Sequence, residues 1–323
     1  MIISCNESHN DFILQGFSDK PYLEKVLFWI ILFFYCLTLA GNMVIVLVSM
    51  KDPKLHSPMY FFLSNLSLLD LCFTSSCVPQ MLVNLWGPEK TISYIGCAIQ
   101  LYVFLWLGAT ECALLVIMAM DRYVAVCHPL QYTTTMHPRV CLQLATLAWG
   151  TGLVQSLVQS PATLQLPFCS RIIDDIVCEV PALIHLSNTD TTYNETQMSI
   201  ASIFLLVVPL VIILSSYGAI VHAVLRIKSN AGQKKAFGTC ISHLLVVSLF
   251  YGTVTGVYLQ PQNHYAHERG KFLTLFYTVV TPTLNPFIYT LRNKEVKGAL
   301  RRLRRRTGFP RITKKVDICL PVA

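Results

Sequence analysis

Twenty-five residues in succession, Val26 to Met50, carry no acidic or basic side chain. At about 1.5 Å per residue in a helix, such a run crosses the roughly 30 Å hydrocarbon core of a bilayer. Lipid offers backbone N–H and C=O groups no partner, so a crossing segment must be a helix or part of a closed barrel. A barrel would show short alternating strands. Here long apolar runs with few charges recur instead, and spans are expected at about 25–50, 57–86, 92–127, 138–165, 197–228, 235–260 and 271–292. The fold class expected is therefore an all-α membrane protein, a seven-transmembrane helix bundle. Charged residues make 13% of the 323 residues against 54% apolar, where soluble domains carry about a quarter charged. So few charges exclude a disordered chain or a nucleic-acid-coating protein. Pro79, Pro161, Pro209, Pro282 and Pro286 fall inside spans and should bend them.

An odd number of spans puts the termini on opposite sides, and basic residues report which side is cytosolic. With the C-terminus inside, nineteen of the 25 Lys and Arg lie inside, eleven of them from Arg292 to Lys315. Lys20, Lys25, Lys90, Arg171, Arg269 and Lys271 remain outside. The net charge of +8 thus reads as an orientation signal in a plasma-membrane protein, not as a nucleic-acid footprint. Residues 1–24 become an extracellular tail, 25–292 the bundle, and 293–323 a cytoplasmic segment. No removable signal peptide is read. Val296, Leu300 and Leu303 recur among the basic residues of 294–306, the pattern of a short amphipathic helix on an anionic leaflet or of a solvated basic tail.

The outer side makes predictions of its own. Asn6-Glu7-Ser8 and Asn194-Glu195-Thr196 are glycosylation sequons there. Residues 166–196 form a long outer loop holding Cys169 and Cys178, and loops of this length are usually functional. A Cys97–Cys178 disulfide would pin the loop across the bundle mouth; the alternative is that either cysteine is a small buried apolar side chain. The second reading suits Cys36, Cys72, Cys77, Cys112, Cys141 and Cys240 within spans.

Asp70 and Glu111 are the two carboxylates well inside the spans, and buried ionisable groups are costly. Counting residues from the inner face puts Asp70, Glu111, Asn42 and Asn285 at depths of about 10–18 Å. Four polar groups on four helices then converge on one layer, as a polar clasp between helices or a hydrated cation site with oxygen ligands. No nucleophile accompanies the acids, and the histidines show no metal-ligand spacing at depth, so an enzyme is not expected. A transporter fits poorly, since no internal repeat is visible.

At the inner end of span three stands Asp121-Arg122-Tyr123, within Met118-Ala-Met-Asp-Arg-Tyr-Val-Ala-Val-Cys-His-Pro-Leu-Gln-Tyr132. Leu55-His-Ser-Pro-Met-Tyr-Phe-Phe-Leu-Ser-Asn-Leu-Ser-Leu-Leu-Asp70, Lys235-Ala-Phe-Gly-Thr-Cys-Ile-Ser-His-Leu244 and Pro282-Thr-Leu-Asn-Pro-Phe-Ile-Tyr-Thr-Leu-Arg-Asn293 accompany it in order. Together they resemble a rhodopsin-like G-protein-coupled receptor, specifically an odorant receptor, from about residue 10 to 305.

The resemblance implies that Arg122, paired with Asp121 at rest, meets a G protein, with Tyr123, Tyr217, His243 and Tyr289 in the switch and Asn285-Pro286 loosening span seven. Asp70, Glu111 and Asn42 correspond to a sodium pocket. The implied partner is the olfactory stimulatory G protein, with a rise in cyclic AMP in olfactory sensory neurons. Met120 stands where the family has tyrosine, and Gly238 where it has serine. The family's further loop cysteine is replaced by Ser187-Asn188, leaving Cys169 free or paired with Cys5.

Helical spacing and the same analogy line a ligand pocket with Phe104, Leu105, Gly108, Ala109 and Cys112 of span three. Ser202, Leu205, Tyr251, Thr255, Tyr258 and Thr278 complete it. The outer half of span three carries no charge and 272–291 holds no lysine, which disfavours a cationic ligand and removes a retinal Schiff base. A small neutral volatile ligand with one hydrogen-bonding group is expected.

Overall fold

The computed structural model describes residues 11–17, 21–258, 264–292 and 294–306, with the side chains of 231, 234, 235, 239, 264–269, 290–295 and 303–306 not described. Asn6, Cys5 and the tail beyond 306 lie outside the described residues. The bundle is built from α1 (Pro21–Lys51), α2 (Pro58–Trp86), α3 (Tyr94–Cys127), α4 (Pro138–Leu164) and α5 (Thr192–Leu225). It is completed by α6 (Asn230–Tyr258) and α7 (His264–Arg292), and the short α8 (Lys294–Arg306) follows.

Among the described residues six helices are long and apolar enough to cross a membrane. The seventh, α7, is not among them; within it a π turn at Phe276–Val280 separates His264–Leu275 from Thr281–Arg292. A second π turn, Ile203–Val207, divides α5 just before Pro209. Proline has no N–H and its ring crowds the preceding turn, and the wider π turn accommodates both. Ser93 Oγ starts α3 by accepting from Gly96 N at 3.0 Å, and Pro58 and Pro138 occupy the first turns of α2 and α4, where their missing N–H groups cost nothing. Helix α5 begins at Thr192 rather than 197, its first turns being polar, and ends at Leu225 rather than 228.

Helix α3 runs through the centre, packing most extensively on α4 and α5. Gly152 permits this: a Cβ there would lie 2.5 Å from Trp106 O and 2.2 Å from Thr110 Oγ1. Gly41 likewise lets α1 reach Pro286 of α7, with a built Cβ only 2.8 Å from its Cγ.

The all-α expectation needs one addition on the outer side. Strand β1 (Phe12–Leu14) pairs antiparallel with β2 (Thr91–Ile92) and parallel with β3 (Ile172–Ile173). Residues Phe12–Leu14 are therefore the central strand of a small three-stranded sheet. Lys271 ties α7 to it, donating to Gly16 O at 2.9 Å and pairing with Asp174, and Lys90 pairs with Glu24. On the inner side α8 packs back with Val296 and Ala299 buried, while Arg302 grips Asp52 Oδ2 through Nε at 2.8 Å and Nη2 at 2.7 Å.

Candidate functional site

A disulfide joins Cys97, at the outer start of α3, to Cys178 with Cα atoms 5.5 Å apart. Gln100, one turn on, accepts from Cys178 N at 2.8 Å, so the loop is fixed by a covalent and a polar tie. The next residue, Glu179, is 2% exposed and accepts from Tyr277 at 3.0 Å and Tyr258 at 3.3 Å. The loop thereby closes the outer mouth. Cys169 is also disulfide-bonded, which corrects the alternative of a free thiol.

Beneath this roof lies a cavity of about 90 Å³. Of the expected pocket residues, Phe104, Leu105, Gly108, Ala109, Cys112, Ser202, Leu205 and Tyr258 line it. Tyr251, Thr255 and Thr278 do not. Helix α6 presents Phe250, Val254 and Tyr258 at four-residue steps, so Tyr251 and Thr255, one residue on, are turned about 100° away. In α7 the same one-residue offset puts Tyr277 in the wall, while Thr278 Oγ1 turns back to Thr274 O at 2.6 Å. Sequence reasoning also missed Phe73, Gln159, Val180, Met198, Ala201 and Leu206. Val180 comes from the loop and Gln159 from a polar helix face, and neither carries a periodic signal that aims it inward.

Glu111 lines the cavity as well, an outcome the layer argument did not anticipate. It interacts electrostatically with Asp70, which accepts from Asn285 Nδ2 at 3.0 and 3.3 Å. Asn42 Nδ2 donates to Thr38 O and Pro282 O, both at 3.1 Å. The Oδ1 atoms of Asn42 and Asn285 are buried without a hydrogen-bond partner among the described residues. Two carboxylates and two unsatisfied amide oxygens in one region are a donor set suited to a hard cation.

At the inner end Arg122 Nη2 lies 3.2 Å from Asp121 Oδ2. Arg122, Asp121, His243 and Tyr289 border one small cavity, and Tyr217 joins them through a 2.8 Å hydrogen bond to His243 Nδ1. Tyr123 is directed elsewhere, 3.3 Å from His128 Nε2. Pro286 packs on the α1 backbone at Gly41. Tyr132, the last residue of the quoted motif, donates to Asp121 Oδ1 at 2.8 Å and so shares that carboxylate with Arg122. Met120 is 48% exposed on the outer face of the bundle, and a Cβ at Gly238 would meet nothing within 4 Å. Asn194 of the expected second sequon is 5% exposed, and its Nδ2, the atom that would carry a glycan, donates to Ala162 O at 2.8 Å.

Comparison with known proteins bears on all of this. The family model described as olfactory receptor matches residues 31–306. Human olfactory receptor 2H2 is 67% identical over 293 residues, covering 90% of this chain and 94% of that protein. Human olfactory receptor 2H1 is 64% identical over 293 residues, 90% and 93% of the two chains. Mouse olfactory receptor 2C1 is 59% identical over 304 residues, 94% and 97%. Relatives this similar along almost the whole chain, on a bundle with a roofed cavity at one end and the Asp121–Arg122 pair at the other, place the protein in the olfactory receptor family: a multi-pass G-protein-coupled receptor for odorants, not an enzyme.

Proposed function

We propose that the receptor binds a small, neutral, volatile molecule in the cavity beneath Glu179 and activates a stimulatory, olfactory-type G protein, raising cyclic AMP. The observation that carries this reading is the cavity wall: mostly aromatic and aliphatic side chains, with Ser202, Tyr258 and Gln159 as hydrogen-bonding groups, Glu111 as the one carboxyl, and no lysine or arginine among the lining residues. Such a wall takes an apolar body and reads a single polar group. The cavity's 90 Å³ is smaller than the roughly 150 Å³ that admits benzene in an engineered core. Binding must therefore displace wall side chains on α3, α5 and α6, and a ligand favours whichever helix arrangement it fits better.

The basic residues from Arg292 onward support an N-terminus outside and a C-terminus in the cytosol, at the plasma membrane of olfactory sensory neurons. The donor set of Asp70, Glu111, Asn42 and Asn285 would hold a sodium ion, which would supply positive charge to a pair of carboxylates that cannot cheaply both ionise in apolar surroundings. Arg122 is the residue that meets the G protein once it leaves Asp121.

Cells making the chain, screened with an odorant panel and a cyclic AMP reporter, are expected to respond to a neutral odorant. Arg122→Ala should abolish the response at unchanged surface level. A response untouched by Arg122→Ala would refute the coupling role, and responses confined to organic cations would refute the ligand class.

A further inference from the structure

The wall of the cavity beneath Glu179 holds few hydrogen-bonding groups, and most of their hydrogens are already given away. Ser202 Oγ donates to Met198 O at 2.8 Å, one turn back along its own helix. The Tyr258 and Tyr277 hydroxyls donate to Glu179 Oε2 at 3.3 and 3.0 Å. Each of these oxygens keeps lone pairs and can accept, but none has a hydrogen left to offer a ligand. The Cys112 thiol is a weak donor.

Gln159 of α4 is the exception. It lines the cavity at 4% exposure, and its Oε1 accepts from Gln155 Nε2 at 2.8 Å, one turn earlier. That bond commits the amide oxygen to Gln155, while Nε2, with two hydrogens, makes no hydrogen bond among the described residues. Ser156, one turn below, donates to Tyr102 O at 2.7 Å and so holds this face of α4 against α3. Gln159 stands five residues from the outer end of α4 at Leu164, about 8 Å. Glu111 stands seventeen residues from the outer end of α3 at Tyr94, about 26 Å. The free amide therefore serves the outer part of the cavity, and the carboxyl its floor beside Asp70.

We propose that Gln159 selects the ligand: its free N–H groups call for an odorant with a hydrogen-bond acceptor, a ketone or aldehyde carbonyl, at the outer end of an apolar body. This rests on the cavity being the odorant site. A ligand of the same shape without the acceptor is penalised twice, by the missing bond and by the buried donor it leaves unpaired. An alcohol oxygen can also accept, but its own hydrogen must then find Ser202 or Glu111, so a carbonyl is the better match. Phe104, Leu105, Leu206 and Val254 offer only apolar contact and do not tell these ligands apart. Gln155 is a positioning residue, since it acts by turning the Gln159 amide.

The test uses straight-chain methyl ketones and aldehydes from hexyl to decyl, each paired with the alkene in which a methylene group replaces the carbonyl oxygen. Both thermal stabilisation of the purified full chain in detergent and cyclic AMP in cells are read. The carbonyl member should be roughly tenfold or more the stronger of its pair, and the ratio should fall to about threefold or less in Gln159→Leu. Should that variant not fold, Gln159→Met removes the same donors at the original side-chain length. Gln155→Leu, which frees the amide to rotate, should shrink the ratio without abolishing it. Carbonyl probes that stabilise the receptor without raising cyclic AMP would refute the coupling proposed above while supporting the acceptor requirement. Equal strength within pairs, or silence of every carbonyl probe in both assays, would overturn the proposal. So would a ratio that survives both Gln159 variants and collapses in Glu111→Gln or Ser202→Ala. Rejection of ketones in favour of alcohols would mean that the amide presents its oxygen, and would overturn it as well.

Discussion

The Tyr277 hydroxyl donates to Glu179 Oε2 at 3.0 Å, and Tyr258 reaches the same oxygen at 3.3 Å. Glu179 follows Cys178, itself bonded to α3, so one side chain joins the outer loop to α6 and α7 at the cavity wall. Burial first, and then the negative charge of Asp175, hold the Glu179 carboxyl well above the usual carboxylate range; the two tyrosine hydrogen bonds oppose them.

A pH dependence follows with a definite sign. The folded protein holds the Glu179 proton more tightly than the unfolded chain, so the stability linked to it is full below about pH 4.3 and is lost as pH rises toward the raised value. Glu179→Gln keeps an acceptor oxygen and does not titrate. The wild-type melting temperature, taken relative to this variant, should fall between about pH 5 and pH 8. A constant difference across that range would contradict the burial argument.

Gly108 lines the cavity, and a Cβ there would meet nothing within 4 Å. Gly108→Val should therefore fold normally while occupying ligand space. With about 0.8 kcal/mol per buried methylene at stake, the largest effective odorants should lose tenfold or more in potency while smaller ones keep theirs. A uniform loss across ligand sizes would show that the glycine serves the helix and not the pocket.

Gly152 is the opposite case, since its built Cβ lies 2.5 Å from the Trp106 carbonyl oxygen, which belongs to backbone and cannot swing aside. Gly152→Ala should cost about 1–3 kcal/mol by forcing α3 and α4 apart. Gly150, whose Cβ would meet nothing within 4 Å, provides the control. Thermal unfolding in detergent should separate the two variants; equal melting temperatures would refute the close-packing account.

Cys178→Ser removes the tie that positions Glu179. Losing a native disulfide typically costs about 2–5 kcal/mol, so surface expression should fall steeply. The molecules that do reach the surface should show weaker odorant responses, because Val180 and Glu179 no longer hold the roof. Normal expression together with normal potency would mean that the Gln100 bond and the outer sheet suffice.

What the sequence determined by itself was the membrane bundle. Apolar runs of spanning length, almost free of charge, leave the backbone no alternative to helices. Tertiary structure decided what depends on helix rotation and on contacts between distant segments. Phe250 and Val254 face the cavity in place of Tyr251 and Thr255 because a helix turns 100° per residue and apolar residues surround α6, leaving its phase invisible in the pattern. Lipid-facing and core-facing sides are both apolar here, so periodicity cannot distinguish them. Glu179 went unnoticed because its partners lie 79 and 98 residues away, and Asn194, a sequon by its letters, is withdrawn from solvent by a carbonyl 32 residues earlier.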